Sequence, residues 1–257
     1  MGLRQLFSVA ALIIVGLLVT GCVATQYTYV TDSADSAYFK VPPAWRQVDQ
    51  SSLQNAEGSA SQQGAYLWSR AYDDAAKPSV DNVFASSSSP VAYASVLALS
   101  SAERNGVSFN SMRDLLLPVT STARSAAAAN HQELSGFASL ADQVITDSHN
   151  DRGIREIFDY NLGLTPETFD LTVLTNSATT KLYFLLVHCS ATCFADNYKQ
   201  IATVMGSFTV GGGYCCLSDP RSVARGGRVR TSPGTFTSSA PRTPNGPPAS
   251  RCRCGTG

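Results

Sequence analysis

Leu18-Val19-Thr20-Gly21-Cys22 closes an almost unbroken apolar run from Leu6 to Thr20, which follows a short positive start at Arg4. No other feature constrains the chain as strongly. The layout is that of an export leader. In a helix, at about 1.5 Å per residue, the run spans only about 22 Å, short of the roughly 30 Å hydrocarbon core of a bilayer. Removal after export is therefore expected rather than a permanent span. The last five residues look like a bacterial lipobox, with an aliphatic residue three before the cysteine, a small residue directly before it, and a thiolate nucleophile to accept a diacylglyceryl group. Plain secretion after cleavage at a nearby site is the competing reading. Residues 1–21 are thus expected to be a lipoprotein signal peptide. Cys22 becomes the lipidated first residue of a protein held at the extracytoplasmic face of the cell membrane, since two or more acyl chains anchor stably.

The body that follows must carry its own core. With 257 residues, 44% of them apolar, it can. A repeating glycine, a heptad pattern and several long apolar runs are all missing, which excludes collagen-like, coiled-coil and polytopic membrane chains. The zero net charge conceals an uneven distribution: residues 22–210 carry 11 basic and 18 acidic residues, and residues 211–257 carry seven Arg and one Asp. An acidic body repels phosphate, and the tail alternates Arg with Pro and Gly instead of interleaving aromatics. Nucleic acid is therefore not expected as a partner.

Residues 22–36 are small and polar and read as a flexible spacer. The domain is expected to start at Ala37, with Tyr38-Phe39-Lys40-Val41 as a strand ended by Pro42-Pro43. Trp45 reads as a core plug beside a short polar helix or loop over 47–56. Residues 65–72 and 91–99 have strand composition, and the Ser-rich stretch 75–90 between them reads as a loop. A helix is predicted over 108–117, stopped by Pro118, and partial helix over 121–140. Residues 144–146 with 153–160, and 169–175 with 181–187, read as two β-hairpins. An amphipathic helix follows Cys193, with Phe194, Tyr198, Ile201, Ala202 and Met205 three or four apart, and 207–210 is a last short strand. The pattern predicts one α+β domain over 37–210 with a mostly antiparallel sheet. The tail 211–257 has nine Gly, six Pro and no apolar period, so it cannot supply a core and is expected to be disordered. Either it is a basic arm for anionic envelope polymers or lipid, or its abrupt change of composition marks a GC-rich frame misread.

Phe39-Lys40-Val41-Pro42-Pro43-Ala44-Trp45, the successive hairpins, and Cys189-Ser-Ala-Thr-Cys193-Phe194 leading to Ser207-Phe208-Thr209-Val210 resemble the PsbP-like fold of actinobacterial LpqN-type lipoproteins. The resemblance covers 37–210. It implies an antiparallel sheet layered between helices, an α/β/α sandwich, in a monomeric extracytoplasmic domain of accessory or binding function, and it brings no catalytic residues with it.

Seven cysteines remain to be placed in an oxidising compartment. Cys22 takes lipid. Cys189 and Cys193 flank a strand-to-helix corner, where a disulfide is expected to add about 2 kcal/mol by loop closure. The rival is a metal site that adds His188, but neighbouring strand residues face opposite sides of a sheet. Cys215, Cys216, Cys252 and Cys254 lie in the tail and carry no assignment.

Catalytic patterns are not found. The chain lacks a nucleophile elbow, a His-Glu-x-x-His pair and a phosphate loop. Asp147-x-His149-x-Asp151 superficially suggests a calcium loop, but Arg152 stands where the bend needs Gly and Phe158 where a bidentate Glu belongs. Asp73 and Asp74 are strand neighbours that diverge, so they do not form an acid/base pair. No metal or cofactor is expected. The chain reads as a non-enzymatic binding or accessory domain acting on an envelope protein or a small ligand. The alternative is a tethered hydrolase in which His131 or His149 meets a serine and a carboxylate in a cleft.

Overall fold

Alternation of apolar and polar residues places most of the strands, and side-chain caps place the helices. The computed structural model describes residues 27–58, 65–132, 134–147 and 149–211. The expected signal peptide over 1–21, Cys22 and the tail from 212 onward, with its four cysteines, lie outside the described residues.

In chain order the first elements are β1 (Thr28–Asp32), β2 (Ala37–Val41), β3 (Arg46–Gln47), α1 (Gln50–Glu57), β4 (Ala65–Asp73), α2 (Val80–Phe84) and β5 (Val91–Ala98). Then come α3 (Ser101–Gly106), α4 (Phe109–Arg113), α5 (Ser121–Ala129), β6 (Ala138–Thr146), β7 (Arg152–Leu162), β8 (Thr165–Thr175) and β9 (Lys181–Ser190). Helix α6 (Ala191–Met205) and strand β10 (Thr209–Val210) close the domain. A seven-stranded sheet runs β3-β4-β5-β9-β8-β7-β6, and a three-stranded sheet runs β1-β2-β10. Every strand pairing is antiparallel. The α+β class with a mostly antiparallel sheet is therefore as the sequence predicts.

Strand β9 sits at the centre and is buried on both faces, which is why Leu182–Val187 is apolar without alternation. Phe184 and Leu186 join one core with Val91, Tyr93, Phe158, Phe169 and Leu171, under α1, α2 and α4. Leu185, Val187 and Cys189 join the other with Phe39, Val41, Trp45 and the inner side of α6. One covering layer is thus helical. The other combines α6 with the three-stranded sheet, so the large sheet lies between helices as the sequence predicts, with the small sheet beside α6. Trp45 is a buried plug, as its sequence context predicts.

The expected spacer 22–36 is also corrected in part. Thr28–Asp32 forms β1, with Thr28 opposite Val41 and Asp32 opposite Ala37, because Val30 turns into the core beside Phe39. The predicted helix over 108–117 ends early, at Arg113. The Asp114 carboxylate accepts bonds from Val119 N and Thr120 N, both 2.8 Å, and turns the chain before Pro118 is reached. The partial helix expected over 121–140 is α5, which covers Ser121–Ala129, and Phe137 leads into β6, packed against Tyr160 at 5.2 Å between ring centres.

The loop over 75–90 contains α2, which composition did not predict. It is held from Asp73, whose carboxylate accepts from Ala75 N at 2.7 Å, Ser79 N at 3.2 Å, Asn82 Nδ2 at 2.8 Å and Ser89 Oγ at 3.2 Å. Four partners satisfy a fully buried carboxylate. This anchor lays α2 across the sheet, where it walls a cavity.

Candidate functional site

The cavity has a volume of about 180 Å³ and lies on the helical side of the large sheet. Phe158, Phe169, Leu171 and Leu186 from β7, β8 and β9 form its floor, and Val83, Phe84 and Ala85 form one wall. Tyr93 lines it too, but its hydroxyl turns away to donate to Glu57 Oε1 at 2.8 Å. Burial, reinforced by the Glu57 carboxylate, pushes the Tyr93 phenol far above its ordinary value, so it stays neutral. Phe84 packs edge-on against Tyr93, and Tyr93 against Phe184, with ring centres 5.6 and 5.1 Å apart. Offset and edge contacts of this kind stiffen an aromatic lining.

The imidazole in the lining belongs to His188. Its ring stacks on Phe169, 5.3 Å between centres and 19° from parallel. Nδ1 lies 3.4 Å from Glu167 Oε2, and Nε2 lies 3.2 Å from the carbonyl of Val83. Glu167 Oε1 accepts from Ser86 Oγ at 2.5 Å and from Ser87 N at 3.1 Å. The pair therefore clamps the 83–87 segment onto the sheet from two directions. Both imidazole nitrogens face acceptors, so no lone pair is turned toward the cavity, and a ligand there meets carbon.

This geometry differs from a hydrolytic triad in its order. Here the carboxylate stands between serine and imidazole, whereas general-base activation requires the imidazole between serine and carboxylate. The Ser86 proton points at Glu167, and His188 Nε2 faces a backbone carbonyl. Neither imidazole that the hydrolase reading needs is placed for it. His131 and His149 sit exposed on turns, and among the described residues neither ring hydrogen-bonds to a serine or a carboxylate. The Asp151 carboxyl beside His149 is raised mainly by burial and by Asp147.

The other candidate residues separate along the sheet. Cys189 faces the opposite side from His188 and is bonded to Cys193, with Cα atoms 5.9 Å apart. The His188–Cys189–Cys193 metal reading fails on that divergence. In the Asp147–Asp151 turn, Asp147 Oδ1 accepts from His149 N and Asp151 N at 2.8 and 2.9 Å, an ordinary turn closed by its own side chain. Among the described residues no group of three or more His, Cys, Asp or Glu side chains is placed to hold a metal ion. Asp73 is the loop anchor described above, and Asp74 is raised by burial and by its neighbour Asp73.

Sequence reasoning missed Glu167, Ser86, Ser87 and the cavity itself. One signal was available: Glu167 and His188 are ionisable residues in β8 and β9, strands buried over most of their length, and a buried ionisable residue needs a partner.

No family model and no curated protein matches the chain. Among solved structures it is similar to CyanoP, the PsbP of Synechocystis, with 14% identity, a TM-score of 0.45, and coverage of 76% of this chain and 99% of that one. It is also similar to the Ran-binding protein Mog1p of Saccharomyces cerevisiae, with 7% identity, a TM-score of 0.38, and coverage of 73% and 96%. LpqN of Mycobacterium tuberculosis, described as involved in cell envelope biogenesis, shows 13% identity, a TM-score of 0.39, and coverage of 73% and 91%.

Proposed function

We propose that the chain is a lipid-anchored, monomeric, non-catalytic binding protein of the cell envelope, and that the aromatic cavity beside His188 is its ligand seat. The observation that carries this reading is a cavity of about 180 Å³ lined by aromatic and aliphatic carbon, in which the Tyr93 hydroxyl and both nitrogens of His188 are engaged elsewhere. Such a seat suits an alkyl or aryl group of a small ligand or of a partner. The lipobox-like stretch ending at Cys22 supports the anchor and the extracytoplasmic face. The tethered-hydrolase reading has less support, because the carboxylate separates the serine from the imidazole.

Titration of the full chain with the neutral fluorophore N-phenyl-1-naphthylamine tests the seat. Saturable one-to-one binding is expected, and Ala85→Trp, which fills the mouth from an exposed position, is expected to abolish it without lowering the melting temperature. Binding that is absent, or indifferent to Ala85→Trp, would overturn the reading. Labelled palmitate on the parent, but not on Cys22→Ser, tests the anchor.

A further inference from the structure

We infer that the end of the large sheet carrying the β7–β8 hairpin tip faces the bilayer, with Leu164 and Phe84 as its apolar contact. The inference rests on the lipid-anchor reading of Cys22 and goes beyond it by assigning an orientation and a contact surface.

The tether is short. Strand β1 begins at Thr28, so six peptide steps separate it from Cys22, and a fully extended chain at about 3.3–3.6 Å per residue spans at most about 22 Å. A tether of that length keeps the start of β1 beside the membrane, so the end of the domain at which β1 begins is the one nearest to it.

Strand pairing shows which end. Thr28 pairs with Val41, and Val41 clusters with Val187 and Cys189 near the C-terminal end of β9. Ala37, at the other end of β2, clusters instead with Tyr183 and Leu174. A few residues after Val41, Arg46 pairs with Asp73, in the row that continues through Val91, His188, Phe169 and Phe158. The chain therefore leaves toward Cys22 at the His188 end of the sheet.

The β7–β8 hairpin projects beyond its neighbours at that same end. Strand β9 stops at Ser190 opposite Glu167, while β7 and β8 run on through the Leu162–Thr165 pair. At the tip, Gly163 takes φ +64° and Leu164 is fully exposed, at 101%. Phe84, half exposed at 51%, and Leu162 border the cavity on this side. A leucine presented on a turn with no protein to cover it is costly in water and favourable in hydrocarbon. Where the tether enters, Tyr29 is 65% exposed and stacked on Tyr38, and Lys40 Nζ lies 4.5 Å over the Tyr27 ring. Tyrosines and a lysine are the side chains suited to the headgroup layer.

The acylated full chain, its acyl mass confirmed, is reconstituted in vesicles of phosphatidylcholine and phosphatidylglycerol, with or without chain-brominated phosphatidylcholine. Leu164→Trp is expected to add an emission component that is lost in the brominated vesicles. Ala178→Trp, on the exposed β8–β9 turn at the opposite end, is expected to add one that is retained. Retention at Leu164→Trp, or equal loss at both positions, would overturn the inference. If naphthylamine binding persists in such a case, the cavity reading stands and only the orientation falls. A chain without acyl mass removes the anchor and the orientation together.

Discussion

Glu167 Oε2 stands 3.4 Å from Nδ1 of His188, and both side chains are sealed from solvent between the sheet and the 83–87 segment. The carboxylate also accepts from Ser86 and Ser87, so one residue satisfies three donors on two elements. Glu167→Ala leaves the His188 imidazole and the Ser87 N–H unpartnered in a buried place, and is expected to cost about 3–5 kcal/mol in urea unfolding. Hydrogen exchange over 83–87 should accelerate in the same variant. A loss within about 0.5 kcal/mol, the level of an ordinary surface change, would show that the clamp is not holding.

Glu156 introduces a dependence on pH. It is almost wholly buried beneath α4, and burial, with Asp142 across the strand pair adding to it, raises its carboxyl from 4.5 to about 7, against the opposing pull of Arg113. Its Oε2 has no hydrogen-bond partner and lies 4.0 Å from Arg113 Nε. A folded-state value above the unfolded one means that stability is full below pH 4.5 and is lost as pH rises through about 7. Glu156→Gln cannot ionise. It is expected to match the parent at low pH and to exceed it by about 1–3 kcal/mol above neutrality. Melting curves at the two pH extremes check this, and an equal difference at both would contradict it.

The Cys189–Cys193 bond joins the end of β9 to the first turn of α6. Its loop is short, so the stabilisation is modest, about 2 kcal/mol from loop closure. The Cys189→Ser, Cys193→Ser double variant should lose that much in urea unfolding. Peptide mapping of the parent under denaturing, non-reducing conditions should find neither thiol free, and recovery of both would refute the bond.

Gly153 lies where β7 passes close to β8. A Cβ at that position would sit 1.8 Å from the carbonyl oxygen of Val173. Because the obstacle is backbone rather than a side chain that can swing aside, Gly153→Ala is expected to cost at least about 1–3 kcal/mol. The β7–β8 amides should lose exchange protection ahead of those of β4–β5.

Periodicity made much of the fold legible. Alternation over 153–160 and the apolar run at 182–187 were enough to place β7 and β9, and the three-to-four spacing from Phe194 to Met205 was enough for α6. The failures share a cause. Helix α2, the early stop of α4 and the start of β6 at Ala138 each depend on a side chain or turn fixing backbone outside the hydrophobic pattern: Asp73 for α2, Asp114 for α4, and for β6 the sharp turn at His131 and Gly136, with φ +56° and +75°. β1 was lost to its polar composition, in which Val30 alone turns inward.

What the sequence by itself determined is the order of the longer strands and of the closing helix, and the acidic balance of the body. These are local properties, set by residue type and by neighbours a few positions away. What only the tertiary structure decided is which charged residue meets which. Glu167 and His188 are 21 residues apart, and His188 and Val83 are 105 apart. Whether such groups form a triad, a metal site or a clamp is set by strand register and by a loop laid across the sheet, and neither leaves a periodic trace in the chain.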